Sequence, residues 1–383
     1  MCDTCAPAVP PPTTPDYDAM FDAARPYYQA EIARGIERFW YPPREDCPWC
    51  ASRDLKVMFA ARDTTQGKPG RFVLNRCRTC GHVFQNPCLN PAGLNFYYKD
   101  FYDGIGRTTM EAVFDPRADI YHSRAKMLAP FFGPGESPKN WLDIGAGYGH
   151  FCRDAAAIFP GTTFDGLDQG QGVLDAVEKG WINQAHHSWF PDLEAELTGR
   201  YDVISMFHYL EHVLDIRTEL DLTHRVMPDG GYLLIEVPNP ESILRVLGRW
   251  WIQWFQPQHL HMPPLGNMLA ALTERNLRPV AVQVAEAHIP VDMICAAGAP
   301  FMAYAPHPGA PWLTEKRTKW REKRHELVWT KLSPPFLKAG FKADAWLDPI
   351  IRKTGQANLY RVLARKEGPN QLAGVTARRG PSS

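Results

Sequence analysis

No apolar run in these 383 residues reaches the ~18 that a membrane-spanning helix requires. Charge of one sign is also missing. The 42 Lys and Arg side chains offset the 42 Asp and Glu, so no global field draws the chain to nucleic acid or anionic lipid, although a local patch remains open. The first residues, MCDTCAPAVPPPTTPDYD, have neither the basic start nor the apolar core of a secretory signal. No internal repeat is present. These absences set an expectation of a soluble, cytoplasmic protein whose partner is a small molecule, with neither nucleic acid nor membrane expected. The sequence carries no signal for oligomeric state.

What it does have is proline, 35 residues gathered in the first 16, near 42–48 and around 300–311, where they mark linkers and irregular segments. It also has nine cysteines, four of them in two close pairs. Cys47-Pro-Trp-Cys50 and Cys77-Arg-Thr-Cys80-Gly81 are separated by 26 residues that read as a β-hairpin. In a reducing compartment such pairs point to metal more than to disulfides. Four thiolates complete a tetrahedral zinc site with no open position, so the zinc (Zn2+) would be structural. The competing readings are free buried thiols or a redox CxxC. Cys2 and Cys5 form a third CxxC that is ascribed to chance. Cys88, Cys152 and Cys295 read as small apolar residues.

The chain divides into five parts. Residues 1–43 are a disordered then helical extension, 44–90 a zinc ribbon, and 91–132 an aromatic connector with lid helices. Residues 133–368 form an α/β domain with insertions at about 241–275 and 289–350, and 369–383 a disordered tail. In the α/β domain, WLDIGAGYGH reads as strand, glycine turn and helix start. TTFDGLD is a second strand, WINQAHH a third and YDVISMF a fourth. After MPDGG comes YLLIEVP, and RPVAVQVAEA and NLYRVLARK close the series. Strands alternating with helices imply a parallel sheet covered on both faces.

The glycines of Asp143-Ile144-Gly145-Ala146-Gly147-Tyr148-Gly149 permit a sharp turn and close approach of a ligand. The following helix N-terminus offers free N–H groups. His150 stands where a dinucleotide fingerprint would place another glycine, and Asp168 ends the next strand, where a carboxylate can accept both ribose hydroxyls. At these residues the chain resembles the class I S-adenosylmethionine (SAM)-dependent methyltransferases. The match continues through YDVISMFHYLEHVLD and MPDGGYLLIEVPNP and spans about residues 117–365. The resemblance implies a Rossmann-like, seven-stranded α/β fold, a parallel sheet with one antiparallel strand near the C-terminus. It implies a SAM site made by Asp143, Gly145, Ala146, Gly147, Gly149, Asp168, Gln169 and Phe207, with Ser188 and Trp189 flanking the adenine. Arg124 reads first as a solvated helix charge; the resemblance would also let it reach the SAM carboxylate.

A zinc module ahead of such a domain resembles the C-methyltransferases of nucleotide-linked deoxysugars and related natural-product enzymes. In that group an aromatic connector helps cover the substrate, a role open here to Phe96-Tyr97-Tyr98-Lys99-Asp100-Phe101-Tyr102, with Tyr98 and Tyr102 as substrate contacts. The sugar enzymes carry a further C-terminal α/β domain; none is expected after the last strand here, a departure that weighs against a sugar substrate.

FHYLEHVLD, residues 207–215, follows the fourth strand and so faces the cofactor side. As a helix start it would put His208 and His212 on one face with Glu211 adjacent. Three readings stand. Tyr209, Glu211 and His212 match the Tyr-x-Glu-His of the sugar C-methyltransferases, which implies His212 as base with Glu211 and Tyr209 on substrate; an imidazole suits such work. His208, Glu211 and His212 resemble the metal-binding Glu-x-x-Glu-His of small-RNA and quinone-precursor O-methyltransferases, where a metal lowers a hydroxyl's pKa. Or Glu-His only braces the loop. A nucleotide-dependent oxidoreductase and a SAM-binding scaffold without turnover are the rival functions.

RWWIQWFQPQHLHMPP, residues 249–264, resembles a Trp/His-rich insert of the same families, which would bring Trp254, His259 and His261 into the substrate wall. Core packing is the competing reading for the tryptophans, and an interfacial membrane helix a lesser one. The basic run EKRTKWREKRHE reads as a solvated helix face, alternatively one that meets a phosphate or RNA.

Overall fold

A computed structural model describes residues 16–368, and the Cys2/Cys5 pair and the C-terminal tail lie outside it. The strands in chain order are β1 (Leu55–Ala61), β2 (Phe72–Cys77), β3 (Val83–Gln85), β4 (Asn140–Ile144), β5 (Thr163–Asp168), β6 (Ala185–His187), β7 (Val203–Phe207), β8 (Tyr232–Pro238), β9 (His261–Met262), β10 (Leu277–Gln283) and β11 (Leu359–Lys366). Seven of them form one sheet in the order β10-β11-β8-β7-β4-β5-β6. Its pairs from β8 to β6 are parallel, and β11 runs antiparallel to both β8 and β10. This is the Rossmann-like methyltransferase architecture that the sequence resemblance implies.

The central strands read as continuous apolar runs because helices cover both faces; all five residues of β7 are buried. One face packs Leu142, Ile204, Leu220 and Ile235 together, the other Trp141, Phe151, Phe164 and Leu234. From β4 the chain winds outward to β5 and β6 on one side and to β7 and β8 on the other. The crevice beyond the strand ends at this reversal is where such sheets bind ligands. The third strand is shorter than the run WINQAHH suggests: only Ala185–His187 pair with β5.

The second sheet is small and antiparallel, in the order β1-β2-β3-β9. Three strands come from the cysteine region. The fourth, β9, comes from the Trp/His-rich segment after β8, and pairs Val83 with Met262 and Phe84 with His261. Trp251 and Trp254 pack with Leu74, Val83 and Met262 in this junction. Trp251 donates its indole N–H to Asp292 at 2.5 Å. The stretch from Trp251 to Met262 is therefore packed between the two sheets.

The helix Tyr17–Ala33 and the connector helix Pro91–Tyr98 meet in an aromatic cluster of Tyr28, Phe39, Phe96, Tyr97 and Trp312. Asn90 caps the connector helix, accepting from the Gly93 N–H at 3.0 Å, with Pro91 in the first turn, where its missing N–H costs nothing. Buried Lys68 donates to the carbonyls of Phe96, Tyr97 and Lys99, which ties the end of that helix to the ribbon. Between β10 and β11 lie the helices Asp292–Tyr304, Lys319–Leu327 and Ser333–Thr354. Asp344 accepts from the N–H groups of Met293 and Ile294, both at 2.9 Å. At this crossing a Cβ on Gly340 would stand 2.7 Å from Ile294 Cα, so only glycine fits. Among the described residues no helix is long and apolar enough to cross a membrane.

Candidate active site

A cavity of about 790 Å³ opens beyond the C-terminal ends of β4, β5 and β7. Its floor is the glycine turn. Gly145, Gly147 and Gly149 all have positive φ, of 79°, 54° and 77°, a conformation in which a side chain is strained. They do different work. Above Gly147 there is nothing within 4 Å of where a Cβ would stand, so the backbone lies open to a ligand. A Cβ on Gly145 would come within 3.2 Å of the Tyr209 ring, and one on Gly149 within 2.7 Å of Ala176. Gly149 does not line the cavity; it lets the helix His150–Ala155 pack closely.

Asp168 ends β5 at the cavity wall, its carboxylate accepting from the N–H groups of Gly147 at 2.9 Å and Gly170 at 2.7 Å. Burial raises its pKa, opposed by these N–H groups. Asp143, at the end of β4, accepts from the Ser205 hydroxyl at 2.5 Å, and burial pushes its pKa up to about 7. Ala146, Gln169, Ser188, Trp189 and Phe207 also line the cavity. An open glycine backbone beside a buried carboxylate at a strand end is a donor set that fits SAM.

The connector forms one wall of the cavity. Tyr98 and Tyr102 face the cavity. Tyr148 donates to the Tyr102 carbonyl, Asp103 accepts from the Gln171 N–H at 3.1 Å, and Arg107 pairs with Asp175. The connector is thus fastened to both loops that flank the cofactor end.

The turn after β7 differs from a helix start. His208 has φ 52°, and only a short 3-10 turn, Leu210–His212, follows. The two histidines therefore diverge. His208 packs between two buried carboxylates, Nδ1 at 3.0 Å from Glu211 and Nε2 at 3.4 Å from Glu236. Burial alone would lower its pKa, but these two carboxylates outweigh that and raise it to about 9. His212 places Nδ1 at 2.5 Å from the Tyr98 hydroxyl and 3.1 Å from the Gln258 carbonyl. A carbonyl only accepts, so in the tautomer that satisfies Gln258 the Nδ1–H is shared with the Tyr98 oxygen and Nε2 carries the lone pair; were Tyr98 the donor instead, the proton would sit on Nε2. Burial lowers the pKa of His212 despite Glu211 nearby, which keeps the ring neutral at neutral pH. Tyr209 donates to Glu219 at 3.2 Å; burial lifts that cavity-lining carboxyl to about 7.

Arg124 is not a solvated charge. It is buried and paired with Glu236, which also accepts from Arg361. Burial would raise the pKa of Glu236, but the two guanidinium groups hold it well below the usual carboxylate range. Arg124 still lines the cavity. Three further expectations change. Trp254 belongs to the junction core, as stated above. His261 stacks on His82, and neither it nor His259 lines the cavity. His259 instead sits behind His212, ring centres 4.7 Å apart, and a ring nitrogen of each lies with a carboxylate oxygen of Glu211 in a group of ligand atoms within 4.8 Å of one another. That group contains His259 in place of the expected His208. Glu219, Glu236 and Arg361 escaped the sequence reading. A charged residue inside each of the apolar runs YLLIEVP and NLYRVLARK is the signal that was available.

In the ribbon, Cys47 Sγ lies 3.7 Å from Cys80 Sγ and Cys50 Sγ 3.6 Å from Cys77 Sγ. Zinc–sulfur bonds of ~2.3 Å give a tetrahedron with edges of ~3.8 Å, so the four thiols fit zinc. The Trp49 N–H points at Cys47 Sγ from 3.4 Å.

Residues 117–282 match a family model described as a methyltransferase domain. The chain is 27% identical over 159 residues to the ubiquinone biosynthesis O-methyltransferase of Pseudomonas aeruginosa strain PAO1, covering 39% of this chain and 67% of that protein. It is 28% identical over 131 residues to the enzyme of the same name from Azotobacter vinelandii, covering 32% and 56%. Among solved structures, a SAM-dependent methyltransferase from Archaeoglobus fulgidus aligns with 17% identity and a TM-score of 0.42, over 68% of this chain and 99% of that one.

Proposed function

We propose that this chain, a SAM-dependent methyltransferase, transfers the methyl group to a hydroxyl on a largely apolar small molecule, with His212 as the base. The observation that carries the reading is the Nδ1 contact of His212 with the Gln258 carbonyl at 3.1 Å, which leaves the Nε2 lone pair available at the end of β7. Leu94, Val113, Phe114, Ile120, Leu214 and Ile289 give the cavity an apolar side, with Asn95, Lys99, Arg117 and Thr218 among its polar lining. Such walls suit an aromatic or aliphatic natural-product intermediate better than a bare nucleotide-linked sugar. The relatives named O-methyltransferases support a hydroxyl acceptor.

When bound, SAM supplies an electrophilic methyl on a sulfonium. Gly145, Gly147, Asp168 and Gln169 would hold it, and Ser188 and Trp189 would flank its base. The acceptor's O–H bond breaks toward His212 Nε2 as its oxygen takes the methyl. Tyr98 steadies His212, Glu211 and the imidazolium of His208 lie behind it, and the connector excludes water. Positioning of this kind lowers a barrier without new chemistry. The four ribbon cysteines would hold a structural zinc.

A second reading is favoured by one observation. The ligand atoms of Glu211, His212 and His259 lie within 4.8 Å of one another, and Glu211 Oε2 has no hydrogen-bond partner among the described residues. A divalent ion there would lower the acceptor's pKa in place of a free base. The test is turnover of phenolic and sugar-nucleotide acceptors with SAM, with and without a chelator that leaves the ribbon folded. Methylation of a phenolic oxygen, unaffected by chelation, is expected. Methyl transfer to a sugar carbon would overturn the proposal, and chelator inhibition would select the metal reading.

A further inference from the structure

We propose that the helical insertion between β10 and β11 docks on an anionic lipid bilayer. Phe336, Trp346 and Ile350 recur at spacings of 10 and 4 residues, so at 100° per residue they share one side of the helix Ser333–Thr354, and exposed Leu332 ends the turn just before it. The inner side of the same helix is already used: Ser333, Gly340, Asp344 and Ile351 are buried against the body of the protein. The outer stripe is bare, with Phe336 57% and Trp346 67% exposed. Packed proteins seldom leave large side chains in such a row without a partner.

Charge decides the partner. In a chain of zero net charge, residues 315–353 hold eleven Lys and Arg against five Asp and Glu. Lys342 and Lys353 lie eleven residues apart on the helix, which sets them in a row beside the stripe, and Lys331 stands in the turn before it. Among the described residues none of the three has a carboxylate within ion-pair distance, and neither do Lys319, Lys323 and Lys338. On the preceding helix, Arg324 lies over the rings of Tyr304 and Trp320, at 5.2 and 4.7 Å. An apolar stripe flanked by lysines suits a bilayer surface, where the apolar groups enter the headgroup boundary and the lysines meet lipid phosphates. Two copies joined stripe to stripe would bring their lysine rows together. Single-stranded RNA is held by aromatic stacking, which Leu332 and Ile350 cannot supply.

The full chain should co-sediment with vesicles of phosphatidylglycerol and phosphatidylcholine, and much less with phosphatidylcholine alone. Rising salt should loosen it, as expected of charges screened over ~8 Å at physiological ionic strength. Phe336→Asp/Trp346→Asp should weaken vesicle binding about tenfold or more, and Lys331→Glu/Lys342→Glu/Lys353→Glu should abolish the preference for anionic lipid. All five side chains are on the outer surface, so circular dichroism and calorimetric SAM binding should be unchanged, which separates lost docking from lost folding. Four results would overturn the proposal: no sedimentation with either vesicle, equal binding to both, binding that survives Phe336→Asp/Trp346→Asp, or tighter binding to polyuridylate than to vesicles. A concentration-dependent dimer without lipid, dissolved by Phe336→Asp/Trp346→Asp, would reassign the stripe to a second copy.

Discussion

Leu260 donates its backbone N–H to the carbonyl of Glu211 at 2.7 Å. The next residue, His261, begins β9, which pairs with β3 of the ribbon, and Asn267 then donates to the Cys80 carbonyl at 3.1 Å. A short hydrogen-bonded path therefore runs from the cysteine cluster to the turn that carries His212.

Stripping the ribbon metal should damage the active site as well as the ribbon. Elemental analysis should find one tightly held zinc per chain. Cys77→Ser should lower the thermal midpoint and then turnover, because a ribbon without its metal releases β9. A metal-free protein of unchanged midpoint would refute the zinc assignment.

Loss of the base should be a kinetic event. General-base catalysis contributes ~10²- to 10⁴-fold, so His212→Ala should lower kcat by about that range while calorimetry shows SAM affinity nearly unchanged. In the wild type the acid limb of the rate profile should lie below pH 6.5, since burial lowers the pKa of His212. Near-normal turnover in the variant would leave the turn only a structural brace.

Tyr98 is expected to act through His212. Tyr98→Phe removes the hydroxyl 2.5 Å from Nδ1 and should shift the acid limb and reduce kcat by a smaller factor than His212→Ala. An unshifted profile would deny the coupling.

The charge on His208 carries a signed dependence on pH. Its pKa is raised from 6.5 to about 9 in the fold. The stability it contributes is fully present below pH 6.5 and fades as pH climbs through about 9. With chelator present, thermal midpoints of the wild type should fall over that window, and those of His208→Gln should fall less. Parallel curves would show that the ring is neutral.

Asp168→Ala should abolish measurable SAM binding by calorimetry while the fold persists, since its carboxylate holds the N–H groups of Gly147 and Gly170 and faces the cavity. Tight SAM binding by the variant would displace the cofactor from the glycine turn.

The sheet was legible because its determinants are local. The pattern of β4, glycine turn and helix occupies sixteen consecutive residues, 140–155, and the inner strands announce themselves as mostly apolar runs. The site was less so. Positive φ at His208 turns its ring away from His212, and no four-residue spacing reveals a left-handed residue. Glu236 sits on β8 while Arg124 and Arg361 are 112 and 125 residues away, a pairing that only the sheet order creates. β9 has two residues, too few for any periodicity, so its membership of the ribbon could not be read. Trp254 illustrates the opposite trap, a tryptophan in a His-rich segment that serves packing.

The fastening of the connector to the cofactor loops has a kinetic consequence. Asp103 and Arg107 tie the connector to the segment after β5 and to the helix beyond it, so moving the connector off the cavity requires both contacts to break. If that closure must open between turnovers, the first methyl transfer in a rapid-mixing experiment should outrun those that follow, and a time course with no initial burst would argue against it.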